Sequence, residues 1–119
     1  MADQRAQMQS LSDEYQSLQT ELSTLISARQ KLESQQQENT SVQREFKDLD
    51  EDATIYKLVG PVLLKQDTVE AKSTVEQRLR YIEEEIKRIE GSIQGLQEKS
   101  ESKKMEIMQI QNQMQQAQS

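Results

Sequence analysis

The middle of the chain reads Ile55-Tyr56-Lys57-Leu58-Val59-Gly60-Pro61-Val62-Leu63-Leu64-Lys65. Two short runs of β-branched and other apolar residues flank the Gly60-Pro61 pair, and this pattern predicts a β-hairpin. Gly-Pro is not a common two-residue hairpin turn, so the pattern does not specify the turn type. The hairpin decides the fold because it forces the long segments on its two sides to run back along each other.

The predicted hairpin carries too many apolar residues for two strands standing alone. An isolated hairpin is marginally stable in water, and its edges would template aggregation unless they are paired or closed into a barrel. We therefore expect hairpins from several subunits to build a common β-barrel; the alternative is that the hairpin folds back on its own chain. The residues expected to carry assembly are Ile55, Tyr56, Leu58, Val59, Val62, Leu63 and Leu64.

The segment before the hairpin has the heptad pattern of a coiled coil, with apolar residues at alternating spacings of three and four. These residues are Met8, Leu11, Tyr15, Leu18, Leu22, Leu25 and Leu32. The same register then passes through polar positions before it reaches Phe46, namely Arg29, Gln36, Asn39 and Gln43. The acidic run Asp48–Asp52 should end this helix, because negative charge is unfavourable at a helix C-terminus. An alternative role for the acidic run is docking to a basic partner.

The segment after the hairpin repeats the heptad pattern more regularly. Its apolar positions are Val75, Leu79, Ile82, Ile86, Ile89, Ile93, Leu96, Ile107, Ile110, Met114 and Ala117. Ser100 and Lys103 interrupt this series. Asp67 is a candidate N-cap, and Glu70 three residues later could close a capping box.

These patterns predict a mainly α fold, in which a long antiparallel two-helix coiled coil is joined by a β-hairpin that assembles into a multi-subunit β-barrel. We expect a single domain over residues 1–119, with helix 1 over about 4–49, the hairpin over 54–66 and helix 2 over 67–118. Antiparallel packing places both chain termini at one end. It also places the polar stretch Arg29–Asn39 near the apolar stretch Leu79–Ile93, and Ser100 and Lys103 near Leu18 to Leu25.

The composition argues against several classes of function. The 119 residues include no cysteine and no histidine, which excludes a disulfide framework and removes the commonest general base and metal ligand. The net charge of -6 disfavours nucleic-acid binding, which needs concentrated positive charge. The chain has neither a glycine-rich phosphate loop nor metal-ligand spacing. We therefore expect no enzymatic activity, no cofactor and no metal site.

The sequence also lacks the apolar stretches that membranes and secretion require. No run is long and apolar enough to span a bilayer, and the N-terminal residues have no signal-peptide core. We therefore expect a cytoplasmic protein with neither a membrane nor a nucleic acid among its partners.

The methionines cluster near the chain ends. Met1, Met8, Met105, Met108 and Met114 all lie within 15 residues of a terminus. Methionine is flexible and polarizable, which suits surfaces that bind varied apolar partners. Single methionines in the seam are more simply packing residues, but the cluster indicates a low-specificity binding tip. We expect this tip to bind apolar client surfaces with low specificity, through Met8, Leu11, Ile107, Met108, Ile110 and Met114.

The hairpin and the residues that follow it carry a family resemblance. The segment Tyr56-Lys57-Leu58-Val59-Gly60-Pro61-Val62-Leu63-Leu64-Lys65-Gln66-Asp67 resembles the hairpin signature of β-type prefoldin subunits. The continuation Glu70-Ala71-Lys72, Val75 and Arg78-Leu79-Arg80-Tyr81-Ile82 looks like a eukaryotic subgroup of these subunits. Because the two flanking heptad segments fit as well, the resemblance covers nearly the whole chain.

The resemblance implies a chaperone assembled from other α-type and β-type prefoldin subunits. In prefoldins, two α-type and four β-type subunits form a hexamer whose hairpins build a double β-barrel and whose coiled coils extend from it. The coil tips bind unfolded proteins, notably actin and tubulin, and pass them to a group II chaperonin without ATP. By position, the hairpin would carry assembly and the near-terminal apolar residues would carry client binding.

Two other functions fit parts of the sequence. A structural coiled-coil adaptor would share the fold but should have a sealed polar tip or a specific docking motif, whereas the clustered methionines favour a holdase. A coiled-coil arm of an enzyme, such as a tRNA-binding hairpin, would need a basic face and a catalytic domain.

Overall fold

The computed structural model describes residues 2–49 and 53–118. Its elements in chain order are helix α1 (Ala2–Asp48), strand β1 (Ile55–Val59), strand β2 (Val62–Gln66) and helix α2 (Thr68–Gln118). The prediction of two long helices joined by a β-hairpin is therefore confirmed. Helix α1 ends at Asp48, inside the acidic run expected to terminate it. The remaining acidic residues Asp50, Glu51 and Asp52 lie outside the described residues, as does Met1 of the methionine cluster.

The described residues form two compact units. One unit combines the residues up to Arg29 with those from Arg88 onward, and the other spans Gln30–Lys87. The first unit holds the segments near both chain ends, and the second holds the hairpin. Within the described ranges, neither helix has a segment sufficiently long and apolar to cross a membrane.

The hairpin turn consists of Gly60 and Pro61 alone, because Val59 pairs directly with Val62 across the antiparallel strands. Gly60 has a φ of 60°, whereas the ring of Pro61 fixes its own φ at about −65°. Positive φ at the first central residue and negative φ at the second is the pattern of a type II′ turn, whose twist suits a hairpin. Glycine adopts the positive value without steric cost.

Helix α2 begins directly after Asp67, whose side chain caps it. Oδ1 of Asp67 accepts hydrogen bonds from the backbone N–H groups of Val69 at 2.8 Å and Glu70 at 3.3 Å. The carbonyl oxygen of Asp67 accepts a further bond from the Ala71 N–H at 2.9 Å. These bonds satisfy donors that the first turn of a helix leaves unpaired, so the predicted N-cap is confirmed.

Burial follows the predicted heptads, but the two helices contribute unequally. The buried residues of α2 are Ala71, Val75, Ile82 and Ile86 in the hairpin unit, and Ile89, Ile93, Ser100 and Ile110 in the other unit. Among the described residues of α1, only Leu11 is buried, and the remaining seam positions are half-buried. Ala117, the last predicted seam residue, is exposed. Helix α2 therefore supplies most of the buried apolar surface.

Polar contacts fix how the helices pair in the unit that contains both chain ends. Gln19 Nε2 donates a hydrogen bond to Oγ of the buried Ser100, and Lys103 Nζ lies 2.9 Å from Glu14 Oε2. Glu14 precedes Gln19 in α1, whereas its partner Lys103 follows Ser100 in α2. The two helices are therefore antiparallel in this unit, as predicted. Because it bonds to Gln19, Ser100 lies beside the expected part of α1, Leu18 to Leu25. Lys103 shares a groove with Leu18, but its ionic partner Glu14 lies one turn before that part.

The ion pair of Lys103 joins α2 to α1 within this unit. A hydrogen bond to Glu14 and the negative charges of Glu106 and Glu14 raise the pKa of Lys103 above its ordinary value of 10.5. A cation whose pKa is raised on folding stabilises the fold at neutral pH, and that contribution is lost only as the pH rises through the raised pKa. Because Glu14 and Lys103 are partly exposed, the pair contributes more to helix register than to stability.

Replacing Gly60 by alanine should loosen the hairpin. A Cβ at Gly60 would meet nothing within 4 Å, so the effect comes from the positive φ alone, which costs an L-residue roughly 1–2 kcal/mol. The N–H groups that pair β1 with β2 should exchange about ten-fold faster with deuterium in Gly60→Ala, since exchange reports the free energy of local opening.

The matched control is Gly91→Ala in helix α2, where a Cβ also meets open space but φ is not positive. That change should leave the hairpin amides unaffected and stabilise the helix by about 1 kcal/mol. Unchanged exchange in the Gly60→Ala hairpin would contradict the type II′ turn.

Candidate functional site

One face of the hairpin is apolar and open to solvent. Residues opposite each other in an antiparallel pair share a face, so Leu58 and its partner Leu63 lie on the same side as Tyr56 and its partner Lys65. Leu58 is 68% exposed and Leu63 is 63% exposed. Adjacent leucines exposed to this degree indicate a surface that a further protein chain covers.

The opposite face of the hairpin is covered only at its base. Ile55 is buried there, in a groove that the helices of the same unit line with Val42, Phe46, Ala71 and Val75. Nearer the turn, this face carries three exposed apolar residues, Val59, Val62 and Leu64. The base of the hairpin therefore folds back on its own chain, whereas the outer part presents apolar side chains on both faces.

Both edges of the hairpin carry backbone groups with no strand beside them, since the described sheet has two strands. A two-residue turn closes with a hydrogen-bonded pair, here Val59 and Val62. Because such pairs alternate along an antiparallel ladder, the N–H groups of Tyr56, Leu58, Leu63 and Lys65 point outward. These four groups are placed to bond to strands from other chains.

The predicted client-binding residues differ in accessibility. Leu11 and Ile110 are buried, Met8, Ile107 and Met114 are half-buried, and Met108 is 53% exposed. Met8 and Met114 line one shallow groove with Gln111, Asn112 and Gln115, so the structure brings methionines from both chain ends together. Leu11 and Ile110 could contact a client only where the helix ends separate.

Met105 is an accessible apolar residue that the predicted site omitted. It is 63% exposed and lines a groove on α2 together with Met108 and three glutamates, Glu98, Glu101 and Glu106. Met105 lies off the seam, as does Met108, which the predicted site did include. The signal that identifies it is a second series at heptad spacing on the same helix: Glu98, Glu101, Met105, Met108 and Asn112.

The accessible surfaces thus consist of apolar side chains and unpaired strand edges rather than of reactive groups. Within residues 2–49 and 53–118, the acidic side chains form no group of three or more that could hold a metal ion. The arrangement is suited to binding polypeptide, through strand pairing at the hairpin and through apolar contacts near the chain ends.

Comparisons with known proteins agree with this arrangement. A family model described as prefoldin subunit matches residues 9–118. Prefoldin subunit 6 of Saccharomyces cerevisiae is 47% identical over 105 residues, which cover 88% of this chain and 92% of that protein. Prefoldin subunit 6 of Homo sapiens is 45% identical over 106 residues, which cover 89% of this chain and 82% of that protein.

A solved structure shares the fold. The crystal structure of the prefoldin beta subunit from Thermococcus strain KS-1 matches with a TM-score of 0.80 at 23% sequence identity, over 87% of this chain and 90% of that chain. The resemblance of the hairpin to β-type prefoldin subunits is therefore confirmed, and the eukaryotic subgroup is that of prefoldin subunit 6. This chain belongs to the prefoldin family of chaperone subunits.

Proposed function

We propose that this chain is a subunit of an ATP-independent holdase that works in the cytoplasm. Its hairpin joins those of α-type and β-type prefoldin subunits in the barrel of a hetero-hexamer. The near-terminal part of its coiled coil binds non-native polypeptides, actin and tubulin among them, and the complex delivers these clients to a group II chaperonin. The observation that carries the proposal is the exposure of apolar residues on both faces of the hairpin.

The hairpin supports assembly because one chain leaves most of it uncovered. Leu58 and Leu63 are exposed on one face, and Val59 and Val62 on the other. Burying apolar surface contributes about 25 cal/mol per Å², and closing the sheet also pairs its edge N–H groups. Strands from neighbouring subunits would bury the apolar side chains and also pair with the edge N–H groups. A coiled-coil adaptor that does not assemble would gain neither contribution.

The near-terminal unit supports client binding because its apolar residues are only partly enclosed. Met8 and Met114 are half-buried, and Met105 and Met108 are exposed. Helix ends open at low free-energy cost, so brief separation of α1 and α2 there would add Leu11 and other seam residues to the surface. Contacts of this kind are weak and unselective for a single subunit, but several coils holding one client raise the avidity without new contacts.

The assembly part of the proposal predicts that Leu63→Asp abolishes the hexamer. The side chain of Leu63 is exposed in the single chain, so an aspartate there leaves the helices intact, as circular dichroism would show. In a closed barrel the same carboxylate would be buried without a partner, which is strongly unfavourable. Native mass spectrometry of the variant mixed with partner subunits should therefore detect no complex that contains it.

Tyr81→Asp provides the matched control. Tyr81 is also 63% exposed, but it lies in α2 rather than in the hairpin, so its replacement should leave the hexamer intact. Normal assembly of Leu63→Asp would remove the barrel from the proposal and favour a coiled-coil adaptor.

The client-binding part predicts that removing residues 1–10 and 110–119 preserves the hexamer and impairs holding. The hairpin lies in the other unit, so assembly does not depend on these segments. Suppression of the aggregation of a chemically unfolded protein, measured by light scattering, should fall by up to about five-fold, because one of the coils that hold the client loses its apolar contacts and the avidity of the complex falls with it.

A full-length variant separates the loss of apolar contacts from the loss of helix length. Met8→Gln combined with Met114→Gln keeps both helices complete and should impair holding in the same direction. If the truncated hexamer held unfolded protein as well as the intact one, clients would bind elsewhere, with the inner faces of the coils the next candidates.

A further inference from the structure

The face of α2 that points away from the seam carries an ordered series of side chains. Glu98, Glu101, Met105, Met108 and Asn112 follow one another at spacings of three and four, so they lie along one side of the helix. Together they line a shallow groove. We call this series the outer stripe.

The outer stripe is opposite to the packing face of the same helix. Ser100 and Lys103 contact α1. At 3.6 residues per turn, Met105 is rotated around the helix axis by about 140° from Ser100 and about 160° from Lys103. Met105 and Met108 are 63% and 53% exposed, so these methionines are not part of the coiled-coil seam. Their exposure requires an explanation other than packing between α1 and α2.

The charge along the outer stripe has one sign. The groove is lined by Glu98, Glu101 and Glu106, and its remaining lining residues are uncharged. Glu106 also pairs with Lys103 at 3.9 Å, which leaves Glu98 and Glu101 as the carboxylates most available to a ligand. A partner that buries the two methionines therefore gains from positive charge beside its apolar residues.

We propose that the outer stripe binds non-native segments that carry lysine or arginine near apolar side chains. This inference rests on the proposed holding function and names the class of client that the subunit prefers. The apolar side chains contact Met105 and Met108, and the basic side chains pair with Glu98 and Glu101. A client segment bound to the outer stripe therefore carries positive charge, whereas a segment bound only to the near-terminal methionines Met8 and Met114 needs none.

The spacing within the stripe sets the spacing within the ligand. A helix rises 1.5 Å per residue, so Glu101 and Met105 are separated by about 6 Å along the axis, and Glu98 and Met108 by about 15 Å. An extended polypeptide covers about 3.3 Å per residue. A basic residue about two to five positions from an apolar pair therefore matches the stripe.

The test uses three fluorescently labelled, unstructured peptides that all contain a pair of leucines. Three positions from that pair, the first peptide carries two lysines, the second two glutamines and the third two glutamates. Fluorescence anisotropy measures their binding to the assembled complex. The lysine peptide should bind about ten-fold more tightly than the glutamate peptide, since each exposed ion pair contributes modestly. This preference should largely disappear at about 1 M salt, where surface charges are screened.

Paired variants assign that preference to the outer stripe. Glu98→Lys combined with Glu101→Lys should reverse the order of the lysine and glutamate peptides. Met105→Gln combined with Met108→Gln should weaken the binding of all three. The matched control, Glu38→Lys with Glu45→Lys, makes the same charge change at exposed positions of α1 in the other unit and should keep the original order.

Three results would overturn the inference. Equal binding of the lysine and glutamate peptides would do so, as would an unchanged order in the Glu98→Lys and Glu101→Lys variant. Self-association of the chain that the methionine substitutions abolish would instead assign the stripe to a second copy. Suppression of aggregation by the wild-type complex is measured in parallel: if it persists, only the client class is wrong, and if it is absent, the proposed function fails as well.

Discussion

The hairpin of this chain has two apolar faces, and its own helices cover only the base of one of them. Ile55 is buried at that base, whereas Leu58 and Leu63 on one side and Val59 and Val62 on the other are exposed. A two-stranded sheet has no further layer with which to enclose these residues. Because an isolated two-stranded hairpin is only marginally stable in water, the exposed outer part of this hairpin is consistent with the membership of the chain in a family of subunits.

The coiled coil is held together differently from the hairpin. Its buried apolar surface comes mainly from the isoleucines of α2, while α1 contributes half-buried and often polar positions. In the unit near the chain ends, Gln19 satisfies the buried Ser100 and Glu14 pairs with Lys103, so specific polar contacts hold the antiparallel register without a thick core. Met8 and Met114 of this thin seam are half-buried close to the chain ends, which is the partial exposure that the proposed client binding needs.

Much of this architecture follows from local rules that a sequence displays directly. Heptad spacing predicts the helices, and Asp67 ahead of the second series predicts its N-cap. Gly60-Pro61 marks a turn, but its type depends on the positive φ of Gly60, which residue identity alone did not specify. The exposure of Met105 could not be assigned from the seam pattern either, because Met105 belongs to a second series on the same helix. The burial of Leu11 does follow from its seam position, and it is the prediction of a client contact at Leu11 that assumed a greater accessibility.

The proposed assembly requires strands of neighbouring subunits to complete the hairpin. The decisive measurement is amide hydrogen exchange of Tyr56, Leu58, Leu63 and Lys65 in the isolated chain and after mixing with partner prefoldin subunits. These N–H groups point out from the edges of the sheet, so they should exchange rapidly in the isolated chain and become strongly protected in the complex. Equal exchange in both states, whether fast or slow, would contradict the claim that other chains pair with these edges.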